Sequence, residues 1–140
     1  DNNGDWHISY ADGNSEGLKY LLVKEGTTPQ TPEVIDDGRG VGGTPFADGQ
    51  HIVGDDSHIV VTASGQIQVS YQDATAGTLR WAVGTPQSGG GYSWEVRVVE
   101  QEGFAGAFSR QIVTADGTRI ANFWRKGGAS VVGDVNVVQP

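Results

Sequence analysis

The chain contains no cysteine and no methionine, and little leucine or lysine. Without thiols there is no disulfide framework, no thiolate metal site and no cysteine nucleophile, although export stays open because many bacterial surface proteins carry no cysteine. No apolar run approaches the roughly 20 residues that a membrane-spanning helix requires. Basic residues are also scarce: nine Lys and Arg against 17 Asp and Glu give a formal charge of -8. A field of that sign repels phosphate backbones and anionic lipid surfaces, so neither nucleic acid nor membrane insertion is expected. The opening Asp1-Asn2-Asn3-Gly4 is neither an initiator Met nor a signal peptide, which suggests a processed form or a piece of something longer.

What is abundant points to strands. The 140 residues include 22 glycines, together with much Val, Thr, Ser and Asp. That composition favours short strands and tight turns over helices, and the length suits one domain. Self-comparison then exposes a period. Trp6-His7-Ile8-Ser9-Tyr10-Ala11-Asp12 matches Ile67-Gln68-Val69-Ser70-Tyr71-Gln72-Asp73, and Leu18-Lys19-Tyr20 matches Leu79-Arg80-Trp81, both at an offset of 61. A further copy pairs Thr62-Ala63-Ser64-Gly65 with Thr114-Ala115-Asp116-Gly117, and Tyr71 with Phe123, at an offset of 52. One insertion near residues 44–55 and a longer Gly-rich loop at 88–92 reconcile the two offsets around a unit of about 52 residues.

Alternation within the middle unit predicts four strands: His58 to Thr62, Ile67 to Tyr71, Thr78 to Val83 and Trp94 to Val99. Period-two patterning sends Ile67, Val69 and Tyr71 to one face, and Gln68 and Ser70 to the other. In the last unit Gly133-Asp134 suits a two-residue type II′ turn between two short strands. The expectation is an all-β chain of three four-stranded antiparallel blades, the first incomplete, with eleven strands in all. Its parts are a blade over about 1–43, the insertion over 44–55, and blades over 56–107 and 108–140. A β-sandwich is the alternative fold.

The strand Trp6-His7-Ile8-Ser9-Tyr10 with Asp12, followed by Leu18-Lys19-Tyr20, resembles the tandem repeats of bacterial secreted β-propellers, whose members range from sialidase-like enzymes to lectins and scaffolds. The resemblance implies β-propeller blades in an extracellular setting, secreted or at the cell surface. Three blades leave open faces and an incomplete first sheet. A second copy or a partner chain is therefore expected to complete the ring.

Few residues suggest chemistry. The histidines His7, His51 and His58 show no zinc spacing, and no metal or other cofactor is expected. Asp1, Asn3 and Asp5 form a D-x-N-x-D run, but Trp6 stands where an EF-hand-type loop needs glycine. Asp12 and Asp73 recur after the second strand and suit Asx-type turns. Six arginines occupy scattered unit positions, and no catalytic residue can be nominated. Tyr10, Tyr71 and Phe123, with Tyr20 and Trp81, read as core between blades.

The candidate ligand-binding residues break the period: Trp6 and Trp124, Tyr92 in the Gly-rich loop, and Phe46, Asp48 and His51 in the insertion. Aromatic rings with polar neighbours suit sugar stacking. The expected function is a noncatalytic, secreted binding or assembly module, with lectin-like carbohydrate binding in aromatic pockets between blades. The alternative is a sialidase- or glycosidase-like hydrolase subunit whose site a partner chain completes.

Overall fold

The computed structural model describes residues 1, 3–40, 43–115, 117–126 and 130–138, and the side-chain surroundings of all of these except 122–126 and 130–135. Ten strands follow one another: β1 (Trp6–Asp12), β2 (Gly17–Val23), β3 (Glu33–Asp36), β4 (Val53–Val61), β5 (Ile67–Asp73), β6 (Thr78–Pro86), β7 (Tyr92–Glu100), β8 (Ala107–Thr114), β9 (Gly117–Lys126) and β10 (Ser130–Val138). They form three antiparallel meanders, with no α-helix among the described residues. Sheet 1 is β1-β2-β3, sheet 2 is β4-β5-β6-β7 and sheet 3 is β8-β9-β10. The chain is thus all-β, as its composition implies, and the described strands close no ring.

All four strands expected in the middle unit are present; the last three extend beyond the predicted span, and the first starts earlier, at Val53, and ends at Val61, one residue short of Thr62. The final hairpin is a correction. Gly133 and Asp134 pair with Phe123 and Asn122 inside one unbroken β10, so the described residues form ten strands rather than eleven. β9 is ten residues long, and its backbone offers partners along the whole ladder, which outweighs the turn preference of a Gly-Asp pair.

Sheet 2 lies between the other two, and this explains its burial. Every residue of β5 is buried, whereas β1, its counterpart at an offset of 61, shows an exposed alternate face. Ile67, Val69 and Tyr71 join Leu18, Tyr20 and Ile35 in a core between sheets 1 and 2. A second core between sheets 2 and 3 gathers Leu79, Trp81, Val83, Ala105 and Ile120. Leu18 and Leu79, and Tyr20 and Trp81, occupy matching core positions and are essentially excluded from water.

The other face of β5 is polar and equally buried, and it is satisfied by sheet 3. Ser70 Oγ lies 3.0 Å from Ser109 Oγ, Gln72 Nε2 donates to the Ala105 carbonyl at 2.7 Å, and the Thr118 hydroxyl donates to Gln68 Oε1.

The two junctions between sheets use the same contacts. Ser9 Oγ meets Ser57 Oγ at 3.1 Å across the first, as Ser70 meets Ser109 across the second. Val53 N–H donates to the Glu16 carbonyl at 3.0 Å, and Ala105 N–H to the Gly77 carbonyl at 2.9 Å. β4 and β8 each bulge, between Asp55 and His58 and between Ala107 and Arg110. In those bulges Asp56 and Phe108 take φ of 51° and 53°.

Sheet 3 departs from the pattern at one place. Val61 pairs with Ile67, whereas Thr114 pairs with Gly117, a connection one residue shorter than the alignment implies. A one-residue shift exchanges the two faces of a strand. Thr118 and Ile120 are accordingly buried toward sheet 2, where the alignment would have placed residues 119 and 121.

Candidate functional site

The register of sheet 2 sets Tyr71 directly opposite Arg80, on the face turned to sheet 1, with Asp73 at the end of β5 beside them. β3 ends there in Asp36. Asp36 Oδ2 accepts hydrogen bonds from the Tyr71 hydroxyl at 2.6 Å and from Arg80 Nη1 at 2.8 Å. Asp73 Oδ2 accepts from Arg80 Nη2 at 2.5 Å and lies 2.7 Å from His51 Nδ1. His51 Nε2 is 3.0 Å from Asp48 Oδ1. A polar chain, Tyr71–Asp36–Arg80–Asp73–His51–Asp48, therefore runs from the edge of sheet 1 across sheet 2 and into the insertion.

The electrostatics follow from burial. Arg80 loses hydration, but Asp36 and Asp73 outweigh that loss and its pKa stands above the ordinary value. Burial and the Asp36 carboxylate push the Tyr71 hydroxyl well up. Burial opposes charge on His51 too, yet hydrogen bonds to Asp73 and Asp48 raise it above 6.5. His7 and His58 go the other way, lowered first by burial. Each has a ring nitrogen placed to accept: His58 Nδ1 receives the Gln111 N–H at 3.3 Å, and His7 Nδ1 lies 2.7 Å from the Tyr20 hydroxyl.

Beside this chain of charges lies a cleft of about 650 Å³ between the edges of sheets 1 and 2. Val34, Phe46, Trp94, Val96 and Val98 supply its apolar walls, and Arg39, Arg80 and Arg97 border it. Phe46 stacks on His51 with ring centroids 4.2 Å apart. The Arg80 Nε–H is buried and has no acceptor among the described residues. Arg97 also lies over the Trp81 ring, 4.6 Å from its centroid.

Of the residues singled out in the sequence, the structure brings Phe46, Asp48 and His51 together beside this cleft. Tyr92 instead packs edge-on to Tyr20 at 5.2 Å and beside Trp94, as part of the core margin. Trp6 is exposed and borders a separate hollow of about 410 Å³ with Asp1, Asp5 and His7. Trp124 lies in β9 opposite Val132, and its side chain is outside the described residues. Asp1 Oδ1 receives the N–H groups of Asn3 and Asp5, which binds that acidic run into a turn. Among the described residues no group of three His, Asp or Glu is arranged to hold a metal ion.

Asp12 and Asp73 do close turns, accepting from Asn14 N–H and Ala76 N–H. Sequence reasoning missed that each also holds a cation seven residues on: Lys19 bridges to Asp12 as Arg80 does to Asp73. The signal was present, since the Asp and the cation recur together in both copies. It also missed Asp36 and the convergence of three of the six arginines on one cleft. Comparison of the chain with protein-family models, curated proteins and solved structures gives no match.

Proposed function

We propose that this chain is a noncatalytic, extracellular binding and assembly module of the β-propeller type, which holds carbohydrate in the cleft between adjacent blades. The observation that carries this reading is the repeated junction. Two successive pairs of sheets meet through the same serine pair, the same backbone hydrogen bond and the same bulge. Sheets related twice by one operation suit a radial array, and the missing blades would come from another copy or a partner chain.

The cleft supports the binding part. Its apolar walls suit the C–H face of a sugar ring, and the guanidinium groups at its border suit hydroxyl oxygens. Asp36 and Asp73 both hold Arg80, an arrangement that fixes charge rather than delivering a proton to a leaving group. A hydrolase of the sialidase or glycosidase type is the second reading, favoured by the three arginines at the cleft.

Titration calorimetry with a panel of neutral and acidic oligosaccharides tests both. Binding of a neutral sugar without turnover, weakened at least several-fold in Phe46→Ala, is the expected result. Cleavage of any panel member would favour the hydrolase, and absence of binding across the panel would remove the carbohydrate reading.

A further inference from the structure

Both ring nitrogens of His51 face carboxylate oxygens, Nδ1 toward Asp73 at 2.7 Å and Nε2 toward Asp48 at 3.0 Å. A neutral imidazole carries one N–H and one lone pair, so one of these contacts would set a lone pair against an acceptor-only group. Only the imidazolium donates to both.

The two carboxylates are not equivalent. Asp73 is fully buried, bound to Arg80 and capping the turn at Ala76, whereas the Asp48 side chain is 64% exposed. When His51 loses its proton, Asp48 is the partner that water can take back.

The insertion is built so that this release has a mechanical effect. Residues 50–52 are anchored independently of charge on the imidazole: His51 N–H donates to Gly38 O at 2.8 Å, Gln50 Nε2 to Ser15 O and Asp37 O, and Ile52 N–H to Thr75 Oγ1. Gly38 has φ +71°, and a Cβ there would stand 2.0 Å from the His51 carbonyl oxygen, so this anchor is a close backbone approach. Residues 46–49 form a separate small loop, closed by reciprocal hydrogen bonds between Phe46 and Gly49 of 2.9 and 3.0 Å. That tip carries Phe46, a wall of the cleft, stacked on His51.

We infer that residues 46–49 are a lid tip that protonated His51 latches against sheet 2 through Asp48, and that loss of the proton frees the tip and opens the cleft. The control of ligand access rests on the reading of the cleft as a binding site; the latch itself does not.

The groups facing His51 set the sign. Asp73 from β5 and Asp48 from the insertion favour the imidazolium. Arg80 from β6 opposes it through the shared Asp73 oxygen, and Asp36 at the end of β3 offsets Arg80. Burial also opposes the charge, but the two carboxylates prevail and raise His51 above 6.5. The latch therefore contributes fully below pH 6.5 and is lost as pH rises through the higher, latched value.

The test is NMR on the whole chain between pH 5 and 9, following the His51 Cε1–H shift together with hydrogen-exchange protection at the Phe46 and Gly49 amides. Protection is corrected for intrinsic base-catalysed exchange, and His7→Gln and His58→Gln assign the remaining ring signals. The expected result is a His51 midpoint above 6.5, with protection falling about tenfold for each unit by which the latched pKa exceeds the free one. In Asp48→Asn the midpoint drops and the step in protection disappears, while the amides of β5 and β6 are unchanged. A His51 midpoint at or below 6.5, or protection that is flat across the titration, would overturn the latch. Because the readout needs no sugar, a working latch with no oligosaccharide bound would sink the carbohydrate reading alone.

Discussion

Asp12–Lys19 and Asp73–Arg80 show how one charge pair can serve two purposes. Both close the same hairpin position, but Asp12 and Lys19 keep partial access to water, and there the Lys19 ammonium and the Asn14 N–H hold the Asp12 carboxyl down at about 2. Asp73 and Arg80 are buried, and Arg80 also reaches Asp36 on the neighbouring sheet. Removing one member of a buried pair strands the others without water, at a cost of about 3–5 kcal/mol. Arg80→Gln is therefore expected to lower the urea midpoint sharply, whereas Lys19→Gln should leave it nearly unchanged. Equal effects would mean that the network does not fasten the two sheets. The Asp and the cation were legible in the sequence as a recurring pair. Their difference in burial was not, because it depends on which face of each hairpin the next sheet covers.

At the scale of the element, the bulged first strands of sheets 2 and 3 govern how closely neighbouring sheets approach. Gly54 (φ +105°) lies in the first register shift of β4 and Gly106 (φ +95°) just before β8, and a Cβ at either would come within 3.2 Å of its neighbour: Leu18 for the first, and the backbone of Gln72 and Thr78 for the second. Alanine at either position meets both an unfavourable φ and a tight contact, so Gly54→Ala and Gly106→Ala should each destabilise by more than about 1 kcal/mol. Chemical denaturation checks this, and similar losses at the two sites would match the equivalence of the junctions. The alternation of β5 and β6 was readable because period two follows from the pleat. The face exchange in β9 was not, since it turns on a single residue in the β8–β9 connection.

For the whole molecule, the outstanding feature is what the end sheets leave open. Trp6 and Ile8, counterparts of the fully buried Ile67 and Val69, are 70% and 38% exposed on the free face of sheet 1. An apolar face of this kind on the first of a row of stacked sheets suits coverage by another sheet. Light scattering coupled to size exclusion should give a native mass that is a small multiple of 14.7 kDa, reduced to the single-chain value in Trp6→Lys with the fold retained. A wild-type monomer would exclude assembly from identical copies.

Composition and alternation were enough to determine that the chain is all-β and where most of its strands lie. These properties are local, set by alternation and turn chemistry over a few residues, so they can be read along the chain. Three-dimensional packing alone decided that Asp36, Arg80, Asp73 and His51 share one chain of hydrogen bonds, and that Phe46 faces a cleft with Trp94 and three arginines. Asp73 and Arg80 meet within one hairpin, but Asp36 and His51 are 44 and 22 residues from their partners, and the seating of one sheet on the next brings them within hydrogen-bonding distance.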